Sequence, residues 1–472
     1  MSLPDDVPAP VPALFPSREM RERLDDWMTR ELASANERIA HGSVIPSLDM
    51  AAFRQELAAF DFLTPRPIES LLAWTVRQLE HGIVHMTHPR YFGLFNPAPN
   101  FPSQCADRIA GAFNPQLASS GSSPAPVEIE AHVIRAIAAR AGLPAEASGH
   151  FTTSGSEANF TALVCALTHA QPRFAIDGVQ AFAGPLAMYT SRGCHPAWFK
   201  TVHQAGIGRS ALRLIATDGK GRMDSEALTK AVVGDLQRGT VPVLISATAG
   251  TTAGGMIDPL ERCAHIAREH GIWYHVDAAW GGAALCSERA RGLLKGIELA
   301  DSLTIDAHKW LAATMGCGMF ITRYPAVLNE AFRVAADFMP SNASERDPYL
   351  NTVQWSRRFM GLRLFLALAA AGWEGFGVHI DRAVQIIERV RERLLARGWS
   401  VINDSQLAVL CVVPPRGFPA IREIVRRVLG SGRAWVAAAS FEGQEVIRIC
   451  ATHGETMLAD VDELVSALEA PG

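Results

Sequence analysis

Between about Gly149 and Thr322 the chain alternates short apolar runs with amphipathic stretches, and this alternation narrows the fold more than any other feature. Six runs read as strands: Leu186–Thr190, Leu212–Ala216, Val241–Thr248, Trp273–Val276, Ser302–Ile305 and Gly318–Thr322. Several are apolar on both faces, as strands of a parallel sheet covered by helices must be. Beside them, Glu157–His169, Asp224–Gln237 and Leu260–His270 carry helical patterning. Such a sequence specifies an α/β domain, with ligands expected beyond the carboxyl ends of the strands.

The flanks differ. Ser17–Ala40, Leu48–Phe60 and Ile68–His81 space their apolar residues as helices do, so residues 1–85 are expected to form a helical arm that packs on its own body or embraces a partner subunit. Residues 86–355 would hold the α/β domain. Past Trp355 helical patterning runs to Ala396, then come short strands at Ala408–Val413 and Val446–Cys450 and a closing helix, Leu458–Leu468. Residues 356–472 therefore read as a smaller α+β domain. A chain of 472 residues suits this division, because single cores seldom grow beyond ~250–300 residues.

Charge excludes some functions. The net charge is only −4 and no basic block of five or more residues occurs, which argues against nucleic-acid or membrane-surface partners. The longest apolar run, around Leu364–Ala371, is shorter than the ~18–20 residues of a membrane span. Met1–Pro16 is proline-rich, carries Asp5 and Asp6, and lacks the basic start and apolar core of a signal peptide. The eight cysteines form no C-x-x-C pair and read as reduced thiols. These features lead to the expectation of a cytoplasmic protein. Gly206-Ile207-Gly208-Arg209-Ser210-Ala211 matches a dinucleotide fingerprint only loosely, without a strand before it, and no H-E-x-x-H supports a zinc hydrolase.

Chemistry gathers at the predicted strand ends. Ser302–Ile305 leads into Asp306-Ala307-His308-Lys309-Trp310, and about thirty residues upstream His275-Val276-Asp277-Ala278-Ala279 closes another run. A lysine amine can form a Schiff base with the aldehyde of pyridoxal 5'-phosphate (PLP), and an aspartate can keep its pyridine nitrogen protonated. Thr152-Thr153-Ser154-Gly155-Ser156-Glu157-Ala158-Asn159 opens a helix and suits either an anion site or an ordinary cap with Glu157 in the first turn. His195 could stack on a flat cofactor or serve the fold alone. Gly250-Thr251-Thr252 could place a hydroxyl beside the cofactor or simply turn the chain. His308 and Lys309, adjacent on a turn, are expected to point in different directions, with His308 near the phosphate or ring. Asp306 beside a phosphate would need a donor or a proton; otherwise it caps the turn.

Together these motifs resemble the group II PLP-dependent amino acid decarboxylases, the family of aromatic amino acid and glutamate decarboxylases. The resemblance runs from about Ile68 to the C-terminus. It is carried by His88-Pro89-Arg90-Tyr91-Phe92, Ser154-Gly155-Ser156-Glu157-Ala158-Asn159, His195, Gly250-Thr251-Thr252, His275 to Ala279, His308-Lys309-Trp310 and Ser356-Arg357-Arg358-Phe359. It implies the fold-type I (aspartate aminotransferase-like) architecture, a homodimer with sites at the subunit interface, and decarboxylation of an L-amino acid to its amine. Lys309 would be the Schiff-base lysine and Asp277 the partner of the ring nitrogen, with Ala279 against one ring face and His195 on the other. Ser154, Gly155, Ser156 and His308 would hold the phosphate, with Asp306 nearby, and Thr252 would lie near the ring.

The chain departs from that family at one informative place. Alignment puts Phe338 where the family has a mobile-loop tyrosine implicated in protonating the substrate carbon, and phenylalanine has no proton to give. In some plant members the same replacement accompanies oxidative deamination to an aldehyde, so aldehyde synthesis stands as an alternative. Local misalignment, or rescue by Tyr349 or His195, would restore the amine. The substrate segment is Phe95-Asn96-Pro97, with Pro97 in place of a threonine, and Gln116 and Ala118 stand where aromatic-specific relatives carry bulky apolar groups. Aromatic substrates are slightly favoured and acidic ones remain open. A non-catalytic binding protein that kept the fold is opposed by intact Lys309, Asp277 and His195.

Overall fold

Seven strands form the central sheet: β1 (Ser148–Thr152), β2 (Leu186–Ser191), β3 (Leu212–Ile215), β4 (Val241–Thr248), β5 (Trp273–Asp277), β6 (Ser302–Asp306) and β7 (Gly318–Thr322). The computed structural model describes residues 11–96, 98–334 and 347–470. Strand order is β1-β7-β6-β5-β4-β2-β3. The five from β3 to β6 are parallel, and β7 alone is reversed, pairing antiparallel with β6 on one side and with the edge strand β1 on the other. Every residue of β2, β5, β6 and β7 is buried, which explains their apolarity on both faces. All six strands expected from the sequence form. β1 was not legible there, because Ser148-Gly149-His150-Phe151-Thr152 has no apolar run. It is held by pairing with β7, where a side chain at position 149 would sit 2.0 Å from the Phe320 carbonyl oxygen.

The arm folds as α1 (Arg18–His41), α2 (Met50–Ala58) and α3 (Ile68–Gly82), with Ser17 and Asp49 capping the first two. Neither α2 nor α3 buries a single residue fully. Two further helices, α4 (Phe101–Phe113) and α5 (Pro124–Arg140), precede the sheet. The next, α6 (Gly155–Ala170), packs across the middle strands and buries ten residues, among them Asn159.

The helical run after Trp355 begins only at Gly361 and continues to Leu395, with Gly372 at φ 64° breaking its geometry. On length and composition this helix could cross a bilayer, which corrects the inference from its short apolar run. It nevertheless carries Arg363, Glu374 and Asp381, and its first turns pack on α4 and α5, as a core helix does. Strands β8 (Ser400–Val401), β9 (Val409–Val413), β10 (Ala437–Phe441) and β11 (Gln444–Cys450) follow in an antiparallel sheet of order β10-β11-β9-β8. One continuous apolar cluster joins the two sheets, with Leu407 and Val409 packed in the same core as Ala249 and Trp280.

Candidate active site

Asp277 ends β5 and Asp306 ends its parallel neighbour β6, with Asp277 paired in register to Thr304. Parallel neighbours lie ~4.8 Å apart, so both carboxylates open on the same edge of the sheet. The chain then turns, Lys309 N–H donating to the Asp306 carbonyl at 3.2 Å and Ala312 N–H to that of Lys309 at 2.9 Å. This turn brings Lys309 Nζ to 3.0 Å from Asp306 Oδ2. His308 does not point away as expected: its Nε2 lies 3.8 Å from the same oxygen, because Nδ1 is occupied accepting from Cys317 N–H at 3.2 Å. The Asp306 carboxylate fits only beside glycines; a Cβ on Gly155 or Gly318 would come within 2.8 Å of its oxygens. Gly155 opens α6, so this carboxylate also faces a helix N-terminus.

Asp277 is anchored differently. It is 4 % exposed; Oδ2 accepts from Asn159 Nδ2 at 2.8 Å and Oδ1 from Ala279 N–H at 3.2 Å. His195 Nδ1 accepts from Ala197 N–H at 3.1 Å, which leaves Nε2 to face the site. Its pKa is held below the ordinary value, first by desolvation and next by the Lys309 charge. At the start of α6 the Glu157 carboxylate takes the Thr153 N–H (2.8 Å) and hydroxyl (2.6 Å), while Ser154 makes no side-chain cap bond. The cap is thus built by Glu157, and the first amides of the helix, at Gly155 and Ser156, remain without an intrahelical acceptor. The capping reading therefore holds through Glu157, and the open amides are compatible with an anion.

Phe95, buried, stacks on Trp280 with centroids 4.0 Å apart, and Trp280 stacks on Trp310 at 4.7 Å. Lys309 Nζ lies 5.7 Å and Arg448 Cζ 4.5 Å from the Phe95 ring centre. Asn96 Nδ2 turns to the Met315 sulfur at 3.3 Å. Thr252 contributes its carbonyl, accepting from Arg448 Nε at 2.8 Å, whereas the Thr251 hydroxyl accepts from Met256 N–H to close its own loop. Arg448 is 2 % exposed, also donates Nη1 to the Gly93 carbonyl at 2.7 Å, and leaves Nη2 buried without a partner among the described residues. Pro97 and Phe338 lie outside the described residues. Tyr349 is buried with its ring against Trp355, 5.1 Å between centroids.

Three residues at this site had no role in the sequence reading: Arg448, Asn159 and His275. Arg448 had a signal, a charged side chain inside the apolar run Val446-Ile447-Arg448-Ile449-Cys450; Asn159 shares the buried face of α6 with Thr161 and Thr168, and His275 shares β5 with Asp277.

An amine beside one strand end, an anchored carboxylate at the next and free amides at a helix N-terminus suit an aldehyde-bearing cofactor with a basic ring and an anionic tail. Fold and site together define a PLP-dependent enzyme. The comparisons agree. The chain matches the pyridoxal-dependent decarboxylase conserved domain over residues 60–412. It is 33 % identical to mouse cysteine sulfinic acid decarboxylase (CSAD) over 349 residues, covering 72 % of this chain and 70 % of that protein. It is 28 % identical to an aromatic-L-amino-acid decarboxylase of Bacillus atrophaeus, covering 85 % of each, and 28 % identical to a rose-cultivar phenylacetaldehyde synthase, covering 81 % and 80 %. The crystal structure of mouse CSAD superposes with a TM-score of 0.87 at 26 % identity, covering 95 % of this chain and 98 % of that one. The chain belongs to the pyridoxal-dependent decarboxylase family: it is a PLP-dependent amino acid carboxy-lyase of fold-type I.

Proposed function

We propose that this enzyme removes the α-carboxylate of an L-amino acid with an acidic side chain, using Lys309 and Asp277 as its two catalytic anchors. The observation that carries the reading is the placement of these groups at the ends of adjacent parallel strands. When bound, PLP supplies a ring that takes up the electron pair left as the Cα–carboxylate bond breaks. Lys309 Nζ would hold the cofactor, and Asp306, 3.0 Å away, would keep that nitrogen at the site. Asp277 would meet the ring nitrogen, Ala279 and His195 would flank the ring, and Thr252 would lie near it. The Gly155 and Ser156 amides, with Ser154 and His308, would hold the phosphate.

Arg448 moves the substrate preference from aromatic to acidic. A buried guanidinium beside Phe95 with one unpaired nitrogen suits a carboxylate or sulfinate, and a relative at 33 % identity is named for cysteine sulfinic acid. Incubation with L-amino acids of both kinds, measuring carbon dioxide, amine, aldehyde and peroxide together, tests this. Turnover of aromatic and not acidic substrates would sink it. The second reading, aldehyde formation, is favoured by Phe338 and by the phenylacetaldehyde synthase relative, and equimolar peroxide and aldehyde would establish it.

We also propose a cytoplasmic homodimer. Phe62, Leu63, Phe101 and Phe113 are 93 %, 86 %, 73 % and 82 % exposed, and α4 borders an apolar cavity of about 560 Å³ that also reaches Phe359 and Leu362. A second copy would cover these surfaces. All eight cysteines are free, as a reducing compartment keeps them.

A further inference from the structure

A buried chain of polar side chains leads from the start of β5 to the site. Trp273 Nε1–H donates to Ser302 Oγ at 2.8 Å, and that oxygen lies 2.9 Å from His275 Nδ1. His275 Nε2 lies 3.0 Å from Asn159 Oδ1, and Asn159 Nδ2 2.8 Å from Asp277 Oδ2. All five residues are buried, and they come from β5, β6 and α6.

The carboxylate end of this chain gives it its direction. An indole N–H can only donate, and a carboxylate can only accept. Asp277 takes the Asn159 amino group, so Asn159 Oδ1 is left to accept from His275 Nε2–H, and the neutral ring accepts at Nδ1 from the Ser302 hydroxyl. His275 Nε2 also has a longer 3.3 Å contact to Thr304 Oγ1. Every donor points the same way, so the bonds reinforce one another at the carboxylate. Burial lowers the His275 pKa to about 4, so the imidazole stays neutral through the range in which enzymes work.

We propose that Asn159 and His275 are positioning residues, which lock the Asp277 carboxylate toward the ring nitrogen of the cofactor through a hydrogen-bond chain that begins at Trp273 and Ser302. Both act through Asp277. Contacting residues of any buried network couple to one another, so what separates positioning from packing is the cofactor readout: PLP affinity and kcat change while KM for the amino acid does not. The inference rests on the assignment of Asp277 to the ring nitrogen, and the test separates the two.

The experiment uses the purified holoenzyme and the variants His275→Phe, His275→Gln, Asn159→Ala and the double variant His275→Phe/Asn159→Ala. His275→Phe and Asn159→Ala should each weaken PLP binding and lower kcat on the order of tenfold, as outer partners of a cofactor ligand do, with KM for the amino acid little changed. The double variant should match Asn159→Ala alone within about twofold, because the two residues form one path. His275→Gln should recover most of the loss, since its amide can still donate to Asn159. In the unsubstituted protein, ¹⁵N NMR should show His275 as the Nε2–H tautomer without titration between about pH 5 and 8. Additive losses in the double variant, native PLP affinity in His275→Phe, or an Nδ1–H tautomer would each overturn the relay. The NMR arm decides the question even if a variant fails to fold. Asp277→Asn is the control: if it keeps native PLP affinity and turnover, the ring-nitrogen assignment has failed. If it is crippled while the other variants are not, only the relay has failed.

Discussion

Two buried carboxylates end neighbouring strands, and their surroundings divide the work between them. Asp277 takes its hydrogen bonds from neutral amides, Asn159 and Ala279, and makes no ion pair among the described residues. Its negative charge is held still but left uncompensated, so it calls for a cation from outside the chain. Asp306 sits against the Lys309 ammonium at 3.0 Å and the α6 N-terminus, so its charge is met from within. On the proposed function, the first carboxylate would bind the cofactor and the second would hold the lysine in place. Two aspartates one strand apart thus differ in function because their partners differ in charge.

Removing the amine should have the largest effect. Lys309→Ala should lower turnover by ~10⁴-fold or more and abolish the visible absorbance of bound cofactor, as loss of a covalent participant does. A variant retaining both would end the reading of the whole site. The contrast itself is tested next. Asp277→Asn should cost ~10²–10³ in kcat, the scale of a lost electrostatic contact at the reacting group, whereas Asp306→Asn should cost only a few-fold. Equal losses in a side-by-side steady-state assay would erase the distinction between the two carboxylates. Arg448→Lys comes third: it should raise KM for an acidic substrate by ~10-fold, about one charge-assisted hydrogen bond, and leave any aromatic substrate nearly unaffected.

The smallest effect is on stability against pH. An unfolded histidine titrates near 6.5, while burial holds His275 down to about 4 and His150 down to about 3. Between those values the unfolded chain binds more protons, so folding stability must fall as pH drops below about 6.5. The limiting slope is ~1.4 kcal/mol per pH unit for each histidine. Urea midpoints at descending pH should show this, and His150→Phe should flatten the curve; a flat native curve would contradict the burial of these rings.

The site was legible where its residues end periodic elements. Lys309, Asp277 and the Ser154-Gly155-Ser156 turn each follow or open a run whose pattern is local, so their place at the sheet edge follows from the pattern. Asn159 and His275 were visible as letters in the same motifs but had no role, since a polar residue inside an element does not say what it faces. Arg448 is 139 positions beyond Lys309 and reaches the site only because β11 packs its sheet against the loop after β4. The turn of His308 toward Asp306 was missed for a similar reason, because Cys317, nine residues on, decides which ring nitrogen is free.

By itself, then, the order of residues determined the parallel sheet, the helices around it and the lysine and aspartate at its edge, because hydrophobic periodicity and strand ends are properties of neighbouring positions. Only the tertiary structure decided which carboxylate keeps an unmet charge, which tautomer His275 holds and that Arg448 offers a free nitrogen beside Phe95. Those are outcomes of who stands opposite whom across the sheet, and they depend on distances between elements that no local pattern contains.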